Sequence, residues 1–253
     1  MVTRRVARDI VRQWEKMQTV YIPLREIRFS RMLDLLDEWL PPKFHALDLG
    51  SGPGSLSVRL LERFPGARCT AVDCDPLQLA LGRSCYGTMG GRLNWVDADL
   101  RRKDWPGGLP TRKFDAVIST TAFHWLTPSQ LERTYRRAGE LLRRRGILLN
   151  GDRAPVGPNS RRLKKVSFDT YMYVKRSHGL RDPSQPWSTW WNEVLRVEEL
   201  RPLVEERNRR FPRHSESDLP ASAHLRYLKK AGFAEGEVVW RDLSDCIIAA
   251  IKT

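Results

Sequence analysis

Cysteine is scarce in this sequence. The four present, Cys69, Cys74, Cys85 and Cys246, include no C-x-x-C pair, which excludes the common zinc and dithiol motifs. Cys69 and Cys246 fall in strand-like apolar runs and read as core thiols, so a reducing, cytoplasmic compartment is expected. No apolar run approaches the roughly 18 residues of a membrane helix. No signal peptide, internal repeat or low-complexity segment is visible. A clustered histidine–carboxylate set is also missing, so no metal is expected. Acidic residues are outnumbered: 30 Asp and Glu face 44 Lys and Arg, a formal charge of +14. Such a balance attracts polyanions and raises nucleic acid as a partner. Against that, the basic residues are spread along helix-like pieces such as Arg136-Arg137 and Arg143-Arg144-Arg145, with no recognisable RNA-binding module.

At 253 residues the chain suits one large domain carrying an insertion. Its organising stretch is Phe44 to Gly54, a short apolar run followed by Gly50-x-Gly52-x-Gly54. The run reads as a buried strand. The glycines permit a sharp turn and a close ligand, and Asp48 brings a carboxylate to it. Ser55 to Arg63, with Leu56, Leu60 and Leu61, reads as the following helix. Strand, glycine turn and helix open a nucleotide-binding α/β fold. The glycine spacing is not the dinucleotide form, and no Gly-Lys-Ser/Thr follows as a P-loop requires. The next strand, Arg68 to Val72, ends in Asp73. It lies about 20 residues after the turn, where a carboxylate can accept both ribose hydroxyls.

Four stretches occur in order: Leu47-Asp48-Leu49-Gly50-Ser51-Gly52-Pro53-Gly54, Ala71-Val72-Asp73-Cys74-Asp75-Pro76, Asn94 to Leu100, and Phe114 to Ser119. They resemble the motifs of class I S-adenosylmethionine (SAM)-dependent methyltransferases. The following Thr120-Thr121-Ala122-Phe123-His124-Trp125 resembles the small-molecule, trans-aconitate methyltransferase-like subset. The resemblance implies an α/β, Rossmann-like class I methyltransferase fold. That fold is a mostly parallel seven-stranded sheet with helices on both faces, here with a helical cap inserted after strand five. The implied organisation is N-terminal helices forming a lid (1–43), a SAM-binding core (44–150), a helical substrate cap (151–220), and a helix and strand pair completing the core (221–253).

The resemblance also implies a cofactor site. SAM would meet Asp48, Gly50, Ser51, Gly52 and Asp73, with Cys74 and Leu77 flanking adenine. Asp97 would accept from the adenine amino group, with the backbone N–H of Ala98 beside the ring. Asp99 competes with Asp97 for that role, and a helix cap is the other reading of either. Ser119 and Thr120 end the fourth strand at the carboxyl edge and would face the methionine portion.

On the substrate side, His124 is one of five histidines and lies beside the expected methyl donor. It is a candidate general base or a packed loop residue, with Trp125 next to it. Val6, Ile10, Trp14 and Met17 have helical spacing, and Tyr21-Ile22-Pro23 breaks that helix. Trp14 and Tyr21 are lid candidates. A second helix is expected over Phe29 to Leu40, stopped by Pro41-Pro42. Thr127-Pro128 starts a helix, with Gly146 as its end and Ile147 to Asn150 as the fifth strand. In the insertion, Phe168 to Val174 and Trp187 to Leu195 suggest helices. Tyr171, Trp187 and Trp191 could line a substrate wall or bind the cap to the core. His214 to Pro220 reads as a polar loop. Ser222 to Ala231 reads as a helix before strands at Glu237 to Arg241 and Cys246 to Ile251.

The function so implied is methyl transfer from SAM to a small-molecule acceptor, chiefly by positioning. RNA or protein methylation is the alternative favoured by charge. It is disfavoured by Ser119-Thr120-Thr121-Ala122, which stands where many amino-group methyltransferases carry an Asn/Asp-Pro-Pro-aromatic motif. A SAM-binding homologue without methyl transfer is the other alternative.

Overall fold

The computed structural model describes residues 2–111, 113–157, 160–177, 185–211, 217 and 219–253. Most of the expected His214–Pro220 loop therefore lies outside the described residues. Seven strands, β1 (His45–Leu49), β2 (Arg68–Asp73), β3 (Leu93–Asp97), β4 (Phe114–Thr120), β5 (Leu142–Arg153), β6 (Phe233–Asp242) and β7 (Asp245–Lys252), form one sheet. Their order is β3-β2-β1-β4-β5-β7-β6. The first five run parallel, and β7 is antiparallel between β5 and β6. The expected seven-stranded, mostly parallel sheet is present.

The described helices are α1 (Arg4–Tyr21), α2 (Arg25–Trp39), α3 (Ser55–Arg63), α4 (Pro76–Tyr86), α5 (Pro128–Leu141), α6 (Arg161–Ser177), α7 (Gln185–Arg196), α8 (Arg201–Arg210) and α9 (Ala221–Lys230). Alternation along the strands feeds two cores. Leu47, Leu49 and Val117 pack with Leu131 and Tyr135 of α5 and Leu228 of α9. Ala46, Ala71 and Ile118 pack on the other face with Phe29, Met32 and Leu36 of α2 and Leu56 and Leu60 of α3. A third cluster joins Ile10 and Val11 of α1, Leu77 and Leu81 of α4, Trp190 and Val194 of α7, and Leu200 and Val204.

Among the boundaries that differ from the sequence reading, three have a tertiary reason. α2 begins at Arg25 rather than Phe29. Arg25 and Arg28 look solvent-facing by type, yet both are buried and paired with Glu15 and Asp245 respectively. α5 ends at Leu141, so Gly146 is not its terminus but lies inside β5. A Cβ at Gly146 would come within 2.9 Å of the Arg143 carbonyl oxygen. β5 continues past Asn150 to Arg153 because β7 pairs along its far end, with Asp152 opposite Cys246. The start of α5 is as expected: the Thr127 hydroxyl accepts from the Gln130 amide, and the Gln130 side chain accepts from the Thr127 amide.

Helices α6 to α8 all lie between β5 and β6. α6 leaves Leu163, Val166, Phe168 and Tyr173 exposed, whereas α7 is held on α1. There the Trp190 indole N–H donates to the Ile10 carbonyl at 3.2 Å. α1 is in turn clasped to the start of α3. The Ser55 hydroxyl donates to Glu15 at 2.5 Å, and Arg25 and Arg59 pair with the same carboxylate. Against the opposing effect of burial, these donors and charges hold Glu15 down at about 2. Among the described residues, no helix is long and apolar enough to cross a membrane.

Candidate cofactor and acceptor site at the carboxyl edge of the sheet

β1 delivers the glycine turn to the carboxyl edge of the sheet, where open α/β sheets bind ligands. Gly50, Gly52 and Gly54 have φ of 73°, 56° and 90°, a region unfavourable to other residues. Their surroundings separate them. A Cβ at Gly50 would lie 2.3 Å from Ala122 Cβ, and one at Gly54 would lie 2.5 Å from the Trp95 ring. A Cβ at Gly52 meets no atom within 4 Å. Gly50 and Gly54 are therefore dictated by packing as well as by φ, while Gly52 fronts open space.

Asp73 shapes the turn. One carboxylate oxygen accepts from the Gly52 amide at 2.7 Å, and the other from the amides of Cys74 at 2.7 Å and Asp75 at 2.8 Å. Burial, then the neighbouring Asp75 charge, raises its pKa to about 6 despite these three donors. Asp48 lies beneath the turn instead of facing a ligand. It is fully buried, because strand alternation points it at α3, where Ser57 Oγ donates to it at 2.6 Å. Its other oxygen, Oδ1, has no partner among the described residues. Burial, with Asp73 adding to it, raises Asp48 to about 7. Ser51 is buried in the same turn.

Two adenine-end expectations are corrected. The Ala98 amide donates to the Asp73 carbonyl at 2.9 Å, continuing the β2–β3 ladder, so it does not face a ligand. Asp97 is turned outward and held by Arg210 at 2.7 and 2.9 Å. Asp99 is the carboxylate near the Cys74 thiol. Burial first, then the Asp73 and Asp99 charges, raises that thiol well above its ordinary range. Leu77 also departs from expectation: α1 covers it within the third apolar cluster.

At the end of β4, Ser119 is buried and its hydroxyl donates to the Leu49 carbonyl at 2.7 Å, tying β4 to β1. The Thr120 hydroxyl accepts from Arg28 at 2.9 Å. Thr121, at a φ of 53°, accepts from the same guanidinium at 2.5 Å. Arg28 reaches this edge from α2 across Gly151, where a Cβ would lie 3.1 Å from Arg28 Cδ, and it pairs with Asp245 at 2.6 Å.

His124 stands beside this group. Its Nδ1 is 2.8 Å from Asp152 Oδ1, and its backbone amide donates to Asp152 Oδ2 at 3.1 Å. Burial opposes ionisation of Asp152, but the His124 contact, the Arg28 charge and the Arg153 amide hold its pKa well below the usual carboxylate range. An ionised carboxylate only accepts, so Nδ1 carries a proton, and in the neutral ring this tautomer puts the lone pair on Nε2. Trp125 is exposed and its ring lies 4.8 Å from the imidazole. The half-buried Tyr171 hydroxyl lies within electrostatic reach of Asp245, Tyr21, Arg28 and Arg153, and burial followed by Asp245 raises its pKa. Tyr171 thus lies near the Arg28–Asp245 pair, while Tyr21 also packs on the third apolar cluster.

Trp14, Trp187 and Trp191 do not join the acceptor side. Trp14 lies edge-on to Trp187 at 5.7 Å and to Trp190 at 5.0 Å, and Trp191 packs on Trp190 at 5.0 Å. These rings glue α7 to α1.

The sequence profile described as a methyltransferase domain matches residues 46–146. Residues 46–146 are a methyltransferase domain. The match spans the glycine turn, Asp73, Asp99 and His124, and β1 to β4. Among curated proteins, the chain is similar to malonyl-[acyl-carrier protein] O-methyltransferase of Geobacter sulfurreducens. That match is 30% identical over 148 residues, 58% of this chain and 52% of that protein. It is also similar to trans-aconitate 2-methyltransferase of Streptomyces avermitilis, 35% identical over 88 residues, 34% of this chain and 30% of that protein. The chain thus spans about half, or less, of these relatives. Among solved structures, human N-acetylserotonin methyltransferase in complex with SAM matches with a TM-score of 0.57 and 15% identity, covering 96% of this chain and 56% of that one. A putative O-methyltransferase from Nostoc punctiforme matches with a TM-score of 0.59 and 13% identity, covering 93% of this chain and 59% of that one. The methyltransferase domain, with α9, β6 and β7, therefore has the Rossmann-like class I fold.

Sequence reasoning missed Asp152, Arg28, Arg207 and Arg210. Asp152 follows Asn150-Gly151 and was lost with the strand end. Arg25 and Arg28 fall on the apolar stripe of Phe29, Met32 and Leu36, and a cation on such a stripe was the available signal.

Proposed function

We propose that this chain binds SAM at the carboxyl edge of its methyltransferase domain and transfers the methyl group to a small-molecule acceptor. The observation that carries the reading is the open face of Gly52, whose amide donates to the Asp73 carboxylate, with the His124–Asp152 pair on the same sheet edge. The residues suit the cofactor. The open face of Gly52 would take its amino-acid end, and Asp73 would accept from the ribose hydroxyls. Cys74 and Asp99, the latter in place of Asp97, flank the adenine. Ser119 and Thr120 back the methionine portion.

The cofactor supplies an electrophilic methyl on a sulfonium. This chain's residues position the acceptor and exclude water. His124 Nε2, with Asp152 fixing the ring through Nδ1, accepts the proton of an acceptor hydroxyl or amine. Thr120, Thr121 and Asp245 are organised around Arg28, and with Tyr21, Tyr171 and Trp125 they form the polar side of the acceptor space.

Calorimetric titration of the folded protein with SAM and S-adenosylhomocysteine tests the cofactor reading. Micromolar binding of both supports it, whereas no heat from either would remove it. A screen of small-molecule acceptors for S-adenosylhomocysteine release then tests transfer, and binding without release from any acceptor class would favour a non-transferring homologue.

A further inference from the structure

The insertion after β5 divides its labour. α6 approaches the acceptor side through Tyr171, while α7 and α8 dock on α1 and α4 through Leu200, Val204, Trp190 and Val194. That docking brings the last turn of α8 to the opposite end of the sheet edge. Arg207 Nε lies 2.7 Å from Asp75 Oδ2 in the turn after β2. Arg210 forks onto both oxygens of Asp97 at the end of β3 and donates to the Cys74 carbonyl at 3.1 Å. Phe211 follows, with the guanidinium of Arg101 4.8 Å and that of Arg207 5.5 Å from its ring centre. Arg207 also lies 4.7 Å from the Trp191 ring. Arg101 pairs with Asp99 and donates to the Arg210 carbonyl at 3.3 Å.

Four carboxylates, Asp73, Asp75, Asp97 and Asp99, crowd this gap between β2 and β3. Arg207, Arg210 and Arg101 each take one, and Asp73 is left with backbone amides. The two acids used by α8, Asp75 and Asp97, differ from Asp73 and Asp99, which would meet the nucleoside. Among the described contacts, neither Asp73 nor Asp99 carries an ion pair to α8.

We propose that α8 is a clamp on the adenosine end of the cofactor site: Arg207 and Arg210 bridge its two walls and hold Phe211 and Arg101 across the adenine position. The proposal rests on the SAM-binding reading above. It gives part of the insertion a role in retaining cofactor, distinct from acceptor recognition.

The test is titration of wild-type protein, Arg207→Gln and Arg210→Gln with SAM, S-adenosylhomocysteine and adenosine. Wild-type protein that binds none of the three removes the cofactor reading itself. If it binds, the clamp predicts that each variant loses about ten-fold in affinity for all three ligands, the scale of one charge-assisted contact. The loss should appear as faster dissociation, and an equal loss for adenosine places the effect at that end. Arg201→Gln, on a residue whose partner is the exposed Glu198, should bind as wild type does. Unchanged or tighter binding by the two clamp variants, with melting temperatures near wild type, overturns the proposal. Should both variants unfold, Asp97→Asn decides the matter alone and combined with Arg210→Lys. Losses that do not add support a clamp, and additive losses make Asp97 itself the ligand's acceptor and overturn it.

Discussion

His124 and the Asp152 carboxylate meet twice, through the imidazole Nδ1 at 2.8 Å and through the backbone amide at 3.1 Å. The ring is thereby fixed in both orientation and tautomer. His124→Ala should lower methyl transfer to a hydroxyl or amine acceptor by about 10²–10⁴-fold, the range for a positioned base, with S-adenosylhomocysteine affinity unchanged. Asp152→Asn should cost less and shift the imidazole tautomer mixture seen by nitrogen NMR. Full activity in His124→Ala would reduce the residue to packing.

Gly50 and Gly52 offer a paired test of packing against ligand access. Gly52→Ala should fold, losing only about 1 kcal/mol to left-handed backbone strain, but should bind SAM poorly because its Cβ enters open space. Gly50→Ala must also displace Ala122, 2.3 Å from the added atom, and should be the less stable variant by thermal melting. Equal stability with normal cofactor binding in both would show that the turn only joins two elements.

Asp73 holds three amides and is proposed to hold a ribose. Asp73→Ala should therefore weaken SAM binding and also lower the melting temperature of the ligand-free protein, because Gly52, Cys74 and Asp75 lose their acceptor. A purely ligand-binding role would leave the ligand-free melting temperature where it was.

Asp48 predicts a pH dependence. Its folded pKa of about 7 exceeds the ordinary 3.8, so the fold favours the protonated acid. Stability from this group is full below about pH 4 and is lost as pH rises towards about 7. Asp48→Asn should stabilise the protein at pH 8 relative to wild type, with little gain at pH 4. Each kcal/mol recovered is worth about 2–4 °C in a chain of this size. Parallel melting curves for the two proteins from pH 4 to pH 8 would contradict the assignment.

The Trp cluster is read as structural. Trp190 is 2% exposed, and Trp190→Ala should cost about 3–5 kcal/mol in denaturant unfolding, loosening α7 from α1.

The alternation of strand, turn and helix, the glycine turn and Asp73 at the next strand end were legible in the sequence, because they depend on residues close together along the chain. From them followed the parallel sheet and the edge where the site lies. The closing strand pair and two of the insertion's helices, α6 and α7, were also legible, from turn residues and helical spacing, whereas α8 (RPLVEERNRR) carries too few apolar residues to show a period. Other features were settled only in three dimensions. Asp97 and Asp99 are equivalent in composition and differ by two positions. The β2–β3 ladder claims the Ala98 amide, and Arg210 takes Asp97. His124 and Asp152 meet because β4 and β5 are paired in register, which no local pattern encodes. Arg28 resembled a solvent-facing helix residue until burial gave it Asp245, Thr120 and Thr121 as partners. Trp187 and Trp191 could have lined a substrate wall, but docking of α7 on α1 turned them to packing. Local propensity and periodicity place elements, whereas side-chain partners depend on which elements the fold brings into contact.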